Sequence, residues 1–146
     1  MSLPVTQTLI PHVDICTDRV QLSYDDRFLR RKVLTTDSGA RFLVDLEQTT
    51  SLDRGDAFAL DDGRRIEVVP AAEALLDVRG DLTRLAWHIG NRHMPCQIEA
   101  NRLLIQRDHV IRAMLETLGA TLAEVEEAFT PEGGAYGHGR THSHAH

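Results

Sequence analysis

The rhythm of apolar residues changes at Pro70, and that change limits what the chain can fold into more than any other feature. Between Val5 and Val69 the apolar residues come in short runs, "VQLSY", "FLRRKVLTT", "ARFLVDL", "AFAL" and "RIEVV", separated by turn signals. Such runs read as strands, whose side chains alternate between two faces. "TDSGAR" around Gly39 and "LDDGRR" around Gly63 each put an Asp and a Gly where a hairpin needs positive φ, which glycine adopts without steric cost. Gly55 in "LDRGDAF" supplies another bend. Pro70 closes the series, because the residue before a proline is pushed towards extended geometry. Residues 1–70 are therefore expected to form a small all-β domain.

After Pro70 the period lengthens. "EALLDVR" reads as a strand, and "DLTRLAWHIGNR" as a helix with Asp81 as N-cap. Its Leu82, Leu85, Ala86 and Ile89 are spaced i, i+3, i+4, i+7, and Gly90 fits its stop. "CQIEANRLLIQ" is predicted to be two short strands joined around Ala100 to Arg102. "DHVIRAMLETLG" is predicted as a second helix, capped by Asp108, ended by Gly119, with Val110, Ile111, Met114, Leu115 and Leu118 turned inward. "TLAEVEEAF" has moderate helical propensity, yet as a strand it completes βαββαβ, the ferredoxin-like arrangement of a four-stranded sheet with two helices on one face.

The expected class is thus α+β: the β domain, a ferredoxin-like domain over 71–130, and a tail over 131–146. The tail lacks apolar periodicity, so ordering it would cost entropy with no buried area to offset that cost, and it is expected to be flexible.

Composition narrows the function. Of 146 residues, 42% are hydrophobic and 26% charged, close to the average of folded soluble domains. Apolar runs such as "LVDL" and "IEVV" fall far short of the roughly 20 residues that span a bilayer, and the N-terminus lacks the basic start of a secretion signal, so no membrane partner and a cytoplasmic address are expected. Cys16 and Cys96 belong to no CxxC pair, which argues against a disulfide framework or thiolate zinc site. A net charge of −6 repels phosphate backbones, so nucleic acid is not an expected partner. The one basic cluster, "RFLRRK" from Arg27 to Lys32, reads as a solvated strand face. There is no HExxH motif or nucleophile elbow, and no carboxylate stands beside a candidate ligand as general base, so the chain is not expected to be an enzyme.

The histidines carry the chemistry. His88 flanks the first helix's apolar stripe and reads as scaffold. His93 lies five residues further on, too far around a helix to chelate with it, in a turn where function concentrates. One imidazole holds a divalent ion weakly, but in a homodimer with this turn near the twofold axis two copies of His93 would share one ion. Trp87, off its own helix's apolar stripe, marks a contact surface or tucks under the β half. His109 opens the second helix, where the positive end of the dipole favours neutral, metal-binding imidazole. Cys96 is a conceivable soft ligand that packs inside more readily. The end of the chain supplies His138, His142, His144 and His146, compositionally a metal-binding tract. Imidazoles suit nickel, copper and zinc rather than magnesium or calcium.

"GNRHMP", the histidine tract, and the β half with "RRKVLTTDSGARFLVDL" and "LDRGDAFALDDGRRIEVV" together resemble the urease accessory protein E family, the nickel metallochaperones, over nearly the whole chain. The resemblance implies a β domain likened to a peptide-binding chaperone module and a ferredoxin-like domain forming a homodimer that holds Ni²⁺ between paired copies of His93. It also implies that Zn²⁺ can replace nickel, and that the partners are the urease accessory GTPase and, through it, the apo-urease activation complex. Some relatives carry a histidine where this chain has Arg107, which leaves His109 an incomplete pair, and the tail is short beside very His-rich relatives. The expected function is nickel delivery for the urease metallocentre. The competing expectation is a peptide-binding module whose histidines buffer zinc or copper incidentally.

Overall fold

The computed structural model describes residues 3–10 and 16–133. His12 and residues 134–146 of the expected tail, with the candidate ligands His138, His142, His144 and His146, lie outside those residues; the start of the tail, expected to be flexible, is instead held at Glu132, whose N–H donates to the Cys96 carbonyl. The chain divides into two compact units, 1–71 and 72–146. No described helix is long and apolar enough to cross a membrane.

The first unit is built of β1 (Val5–Thr6), β2 (Thr8–Ile10), β3 (Asp18–Leu22), β4 (Phe28–Thr35), β5 (Arg41–Ser51), β6 (Ala57–Ala59) and β7 (Arg65–Pro70). One sheet has the order β1-β5-β4 and the other β2-β6-β7-β3. Strict alternation lets each sheet bury one face: Phe42, Val44 and Leu46 of β5 share a core with Ile66 and Val68 of β7. Phe42 and Phe58, from different sheets, pack tilted with ring centroids 5.6 Å apart. The two Asp-Gly turns are alike, with Gly39 at φ 93° and Gly63 at φ 90°, each donating its N–H back to the residue three earlier. β1 and β2 went unanticipated, being two and three residues long. β1 gains order by lying parallel to Leu43 and Val44 of β5, by Asp61 N–H donating to the Val5 carbonyl at 3.0 Å and by the Thr6 hydroxyl donating to the Ala59 carbonyl at 2.8 Å.

The basic cluster needs one correction. Residues Arg30 to Val33 of β4 are exposed, as a solvated strand requires, but Arg27 is only 3% exposed. Its guanidinium donates to the Leu22 carbonyl at 2.8 Å and lies over the Tyr24 ring, so the charge is solvated by protein instead of water.

The tip of the β4–β5 hairpin is tied to β3. Asp37 N–H donates to the Arg19 carbonyl at 2.8 Å, and the Ser38 hydroxyl donates to the Asp18 carboxylate. Hydrogen bonds from Ser38 and then Thr36 hold Asp18 down to about 2. A carboxylate depressed in the folded state contributes stability that is present above its unfolded value, about 3.9, and lost as pH falls through the folded value. Urea denaturation of wild type and Asp18→Asn should therefore differ at pH 5 and converge towards pH 2. A difference constant over that window would refute the assignment.

The second unit runs β8 (Ala72–Arg79), α1 (Leu82–Asn91), β9 (Gln97–Ile98), β10 (Leu103–Gln106), α2 (His109–Thr117) and β11 (Thr121–Ala128). Its sheet is antiparallel throughout, in the order β11-β8-β10-β9, the ferredoxin-like sequence of strands. Asp81 caps α1 through Arg84 N–H, and Asp108 caps α2 through Val110 and Ile111 N–H. Leu85, Ile89, Ile111 and Leu115 bury against Leu76, Val78, Leu103 and Ile105 of the sheet; each such side chain contributes on the order of 1.5–3 kcal/mol. Val110, expected inside, is 53% exposed. It lies about 100° around the helix from Ile111, off the stripe that Ile111, Met114, Leu115 and Leu118 define.

Candidate metal centre

The candidate centre rests on the way α1 ends. Gly90, the expected stop, is instead an ordinary helical residue, and the helix runs on to Asn91. The left-handed residue is His93, at φ 59°, the one non-glycine with positive φ among the described residues. His93 N–H donates to the Gly90 carbonyl at 2.9 Å and Met94 N–H to the Ile89 carbonyl at 3.3 Å. This is a Schellman closure, whose left-handed position is usually glycine. The second helix closes in the same way with glycine: Gly119, at φ 85°, donates to the Glu116 carbonyl and Ala120 to the Leu115 carbonyl, both at 3.0 Å.

Apolar contact decides why α1 passes Gly90. A closure at His93 brings Met94 against the core that contains Ile89, whereas a closure at Gly90 would have placed polar Asn91 in that position. The fold thus puts a histidine where its other helix uses glycine, at a cost of roughly 1 kcal/mol for a side chain in the left-handed region. Histidine is among the residues that tolerate it.

The surroundings sort the other candidates. His88 is half-buried, and the Trp87 ring meets it edge-on with centroids 5.0 Å apart. Trp87 itself is 64% exposed. Cys96 packs against the helix-side core, and burial, followed by the nearby Glu132 charge, pushes its thiol up to about 11. It rests there as a neutral thiol, packed inside as expected. His109 is the exposed first residue of α2, beside an open cavity of about 350 Å³ lined also by Leu76, Arg107, Asp108, Arg112 and Glu124. Arg107 is a brace: its guanidinium donates to the Leu75 and Val125 carbonyls, both at 3.0 Å. The helices run in opposite directions in this topology, so the C-terminal end of α1 and the N-terminal end of α2 share one end of the helix layer. Among the described residues of one chain, no three His, Cys, Asp or Glu side chains converge as a metal site.

Two features escaped the sequence reading. Asp77 and Gln97 are aligned with Leu104 in the sheet register and so share the face without helices. There Arg102 joins Asp77, Glu99 and Glu127 at 2.7 to 3.1 Å, with Arg79 on the far side of Asp77. The chain leaving β11 also turns back as a strap over 129–132. Phe129 is fully buried, Thr130 N–H donates to Gln97 Oε1 at 2.9 Å, and Glu132 N–H donates to the Cys96 carbonyl at 2.9 Å. Partners 33 or 36 positions apart leave no trace in local periodicity.

Comparison with known proteins gives the site its context. Residues 6–71 match the family model described as the UreE urease accessory protein, N-terminal domain, and residues 68–146 match its C-terminal domain. The chain is 67% identical over 149 residues to the urease accessory protein UreE of Ruegeria pomeroyi, covering 100% of both chains. It is 69% identical over 133 residues to the protein of that name from Ruegeria sp. strain TM1040, covering 90% of this chain and 76% of the relative. Against the Rhodobacter capsulatus protein of that name the identity is 60% over 129 residues, with 88% and 83% covered. Both halves of the sequence are accounted for in one order, and the chain belongs to the UreE family of urease accessory proteins, which assist urease and are not enzymes themselves.

Proposed function

We propose that this chain is a nickel metallochaperone: a homodimer that binds Ni²⁺ between two copies of His93, completes the coordination with tail histidines and water, and delivers the ion for assembly of the urease metallocentre. The observation that carries this reading is the strained histidine at the end of α1. A left-handed non-glycine persists where function needs its side chain, and the glycine at the end of α2 is the internal control. The exposed Trp87, six residues before His93, supports an intersubunit surface at this end of α1. A single chain offers no three-ligand cluster among its described residues, which accords with an ion shared across a twofold axis.

His138, His142, His144 and His146 act as exchangeable ligands, with His109 as a further candidate at the same end of the helix layer. Zn²⁺ or Cu²⁺ competes for the same imidazoles. Transfer passes to the urease accessory GTPase and the apo-urease complex, and incomplete coordination lets a partner with better ligands take the ion. A protein ending at Gly133 should remain dimeric while binding fewer nickel ions, with affinity lower by about tenfold, because tethered ligands act at millimolar effective concentration. Calorimetry with light scattering reads both. Unchanged stoichiometry and affinity would remove the tail from the site, and failure of the nickel-loaded full chain to activate apo-urease would overturn delivery.

A further inference from the structure

We infer that the outer edge of β4 is a docking site for an acidic, extended segment of another protein, taken up as an added strand. This goes beyond the nickel reading and does not depend on it. β4 ends the three-stranded sheet β1-β5-β4, so its second edge pairs with no strand among the described residues. Thr36 N–H donates to the Ala40 carbonyl at 2.8 Å, and in an antiparallel pair such bonded positions recur at every second residue. Leu34 and Lys32, opposite Phe42 and Val44, therefore turn their backbone groups to β5, whereas Arg31 and Val33 turn theirs outward. Among the described residues, no backbone bond from another element meets Arg31 or Val33 there.

The side chains decide what can dock. From Phe28 to Thr35 the strand carries Arg30, Arg31 and Lys32 and no carboxylate, in a chain whose net charge is −6. Arg31 reaches Asp45 at 3.0 Å and Lys32 reaches Asp26 at 3.5 Å, yet the two cationic side chains stay 58% and 51% exposed. Ion pairs so open to water hold weakly, which leaves both cations able to serve a second carboxylate. The apolar element is a row across the sheet: Val5, Leu43 and Val33 are aligned on the face away from the core, and Val33, at the end of the row, is 38% exposed. A fourth strand with an apolar residue beside Val33 and carboxylates beside Arg31 and Lys32 would extend both patterns. A second copy of β4 would instead set these cations against their own kind, so the charged edge turns away like strands and admits an acidic one. Backbone bonds then supply the affinity and the side chains the choice of partner.

The test uses the full chain and a labelled peptide in which Val-Glu-Glu is repeated three times, with binding read by fluorescence anisotropy. Binding is expected at low salt, about tenfold weaker at physiological salt, and about tenfold weaker again when Arg31→Gln and Lys32→Gln are combined. Hydrogen exchange at the Arg31 and Val33 amides should slow when the peptide is added, while Lys32 and Leu34, already bonded to β5, stay unchanged. Val33→Pro removes an outward N–H and no bond to β5, so it should abolish binding and keep the wild-type urea midpoint. Should that midpoint fall, the exchange pattern of the wild type decides alone. No binding by the wild type, or equal binding of a peptide with Lys in place of Glu, would overturn the proposal. Binding without slower exchange at Arg31 and Val33 would overturn strand addition, and a change in oligomeric state in the double variant would make this edge an interface between copies instead.

Discussion

Replacing His93 with glycine should abolish the tightest nickel site and at the same time make the folded protein more stable. The imidazole is the proposed shared ligand, so affinity should drop by about a hundredfold or more, since altering even the supporting partners of a ligand costs 10- to 100-fold. The backbone at φ 59° is one that glycine adopts freely, as Gly119 does in the matching closure of α2, and relief of that strain should add about 0.5–1 kcal/mol. His93→Ala removes the same ligand but leaves a Cβ in the left-handed region, so it should bind as poorly without the gain in stability. Calorimetry with nickel and urea denaturation of the metal-free proteins separate the two effects. Full-strength nickel binding by His93→Gly would end the assignment; lower stability of that variant would show that the side chain supports the fold.

Replacing Arg102 with methionine should destabilise the protein by about 2–4 kcal/mol at neutral pH. Breaking a buried pair costs about 3–5 kcal/mol, and the partial exposure of Glu99 and Glu127 reduces that figure. Arg102 is the hub for three carboxylates, of which Asp77 is only 6% exposed. Hydrogen bonds from Arg79 and Arg102 hold Asp77 below the usual carboxylate range, and Arg102 does the same for Glu127. In the wild type their contribution is present above the unfolded value near 4 and is lost as pH falls through the lower folded values. Without the Arg102 guanidinium that lowering is lost for Glu127 and weakened for Asp77, which keeps its hydrogen bonds from Arg79, so the variant forgoes much of this contribution. The deficit of Arg102→Met measured in urea should therefore hold from pH 7 to about 5 and shrink as pH falls further towards 2. A deficit independent of pH would mean that lost packing, not charge, is responsible.

What the sequence disclosed depended on the range of the interactions. Asp81 and Asp108 reach N–H groups two or three residues away, and Gly39 and Gly63 answer to their own φ, so caps and hairpins were readable directly. The closing strand β11 was identified by topology, because only a strand there completes the sheet. Gly90 misled because helix stops are judged by residue type, while the actual stop was chosen by Met94 finding the core. His93 was singled out by its turn and by family resemblance; its backbone strain was invisible without coordinates. Arg102, whose partner Glu127 is 25 residues away, and Gln97, whose partner Thr130 is 33 away, have no periodic signature at all.

The buried thiol of Cys96 bears on how the fold withstands oxidation. Burial, followed by the nearby Glu132 charge, pushes it up to about 11, so it rests protonated at neutral pH. The thiolate, not the thiol, is the form that oxidants attack. Packed against the helix-side core and protonated, this sulfur is withheld from the oxidation that an exposed thiolate undergoes, so the strand it opens keeps its packing under oxidising conditions.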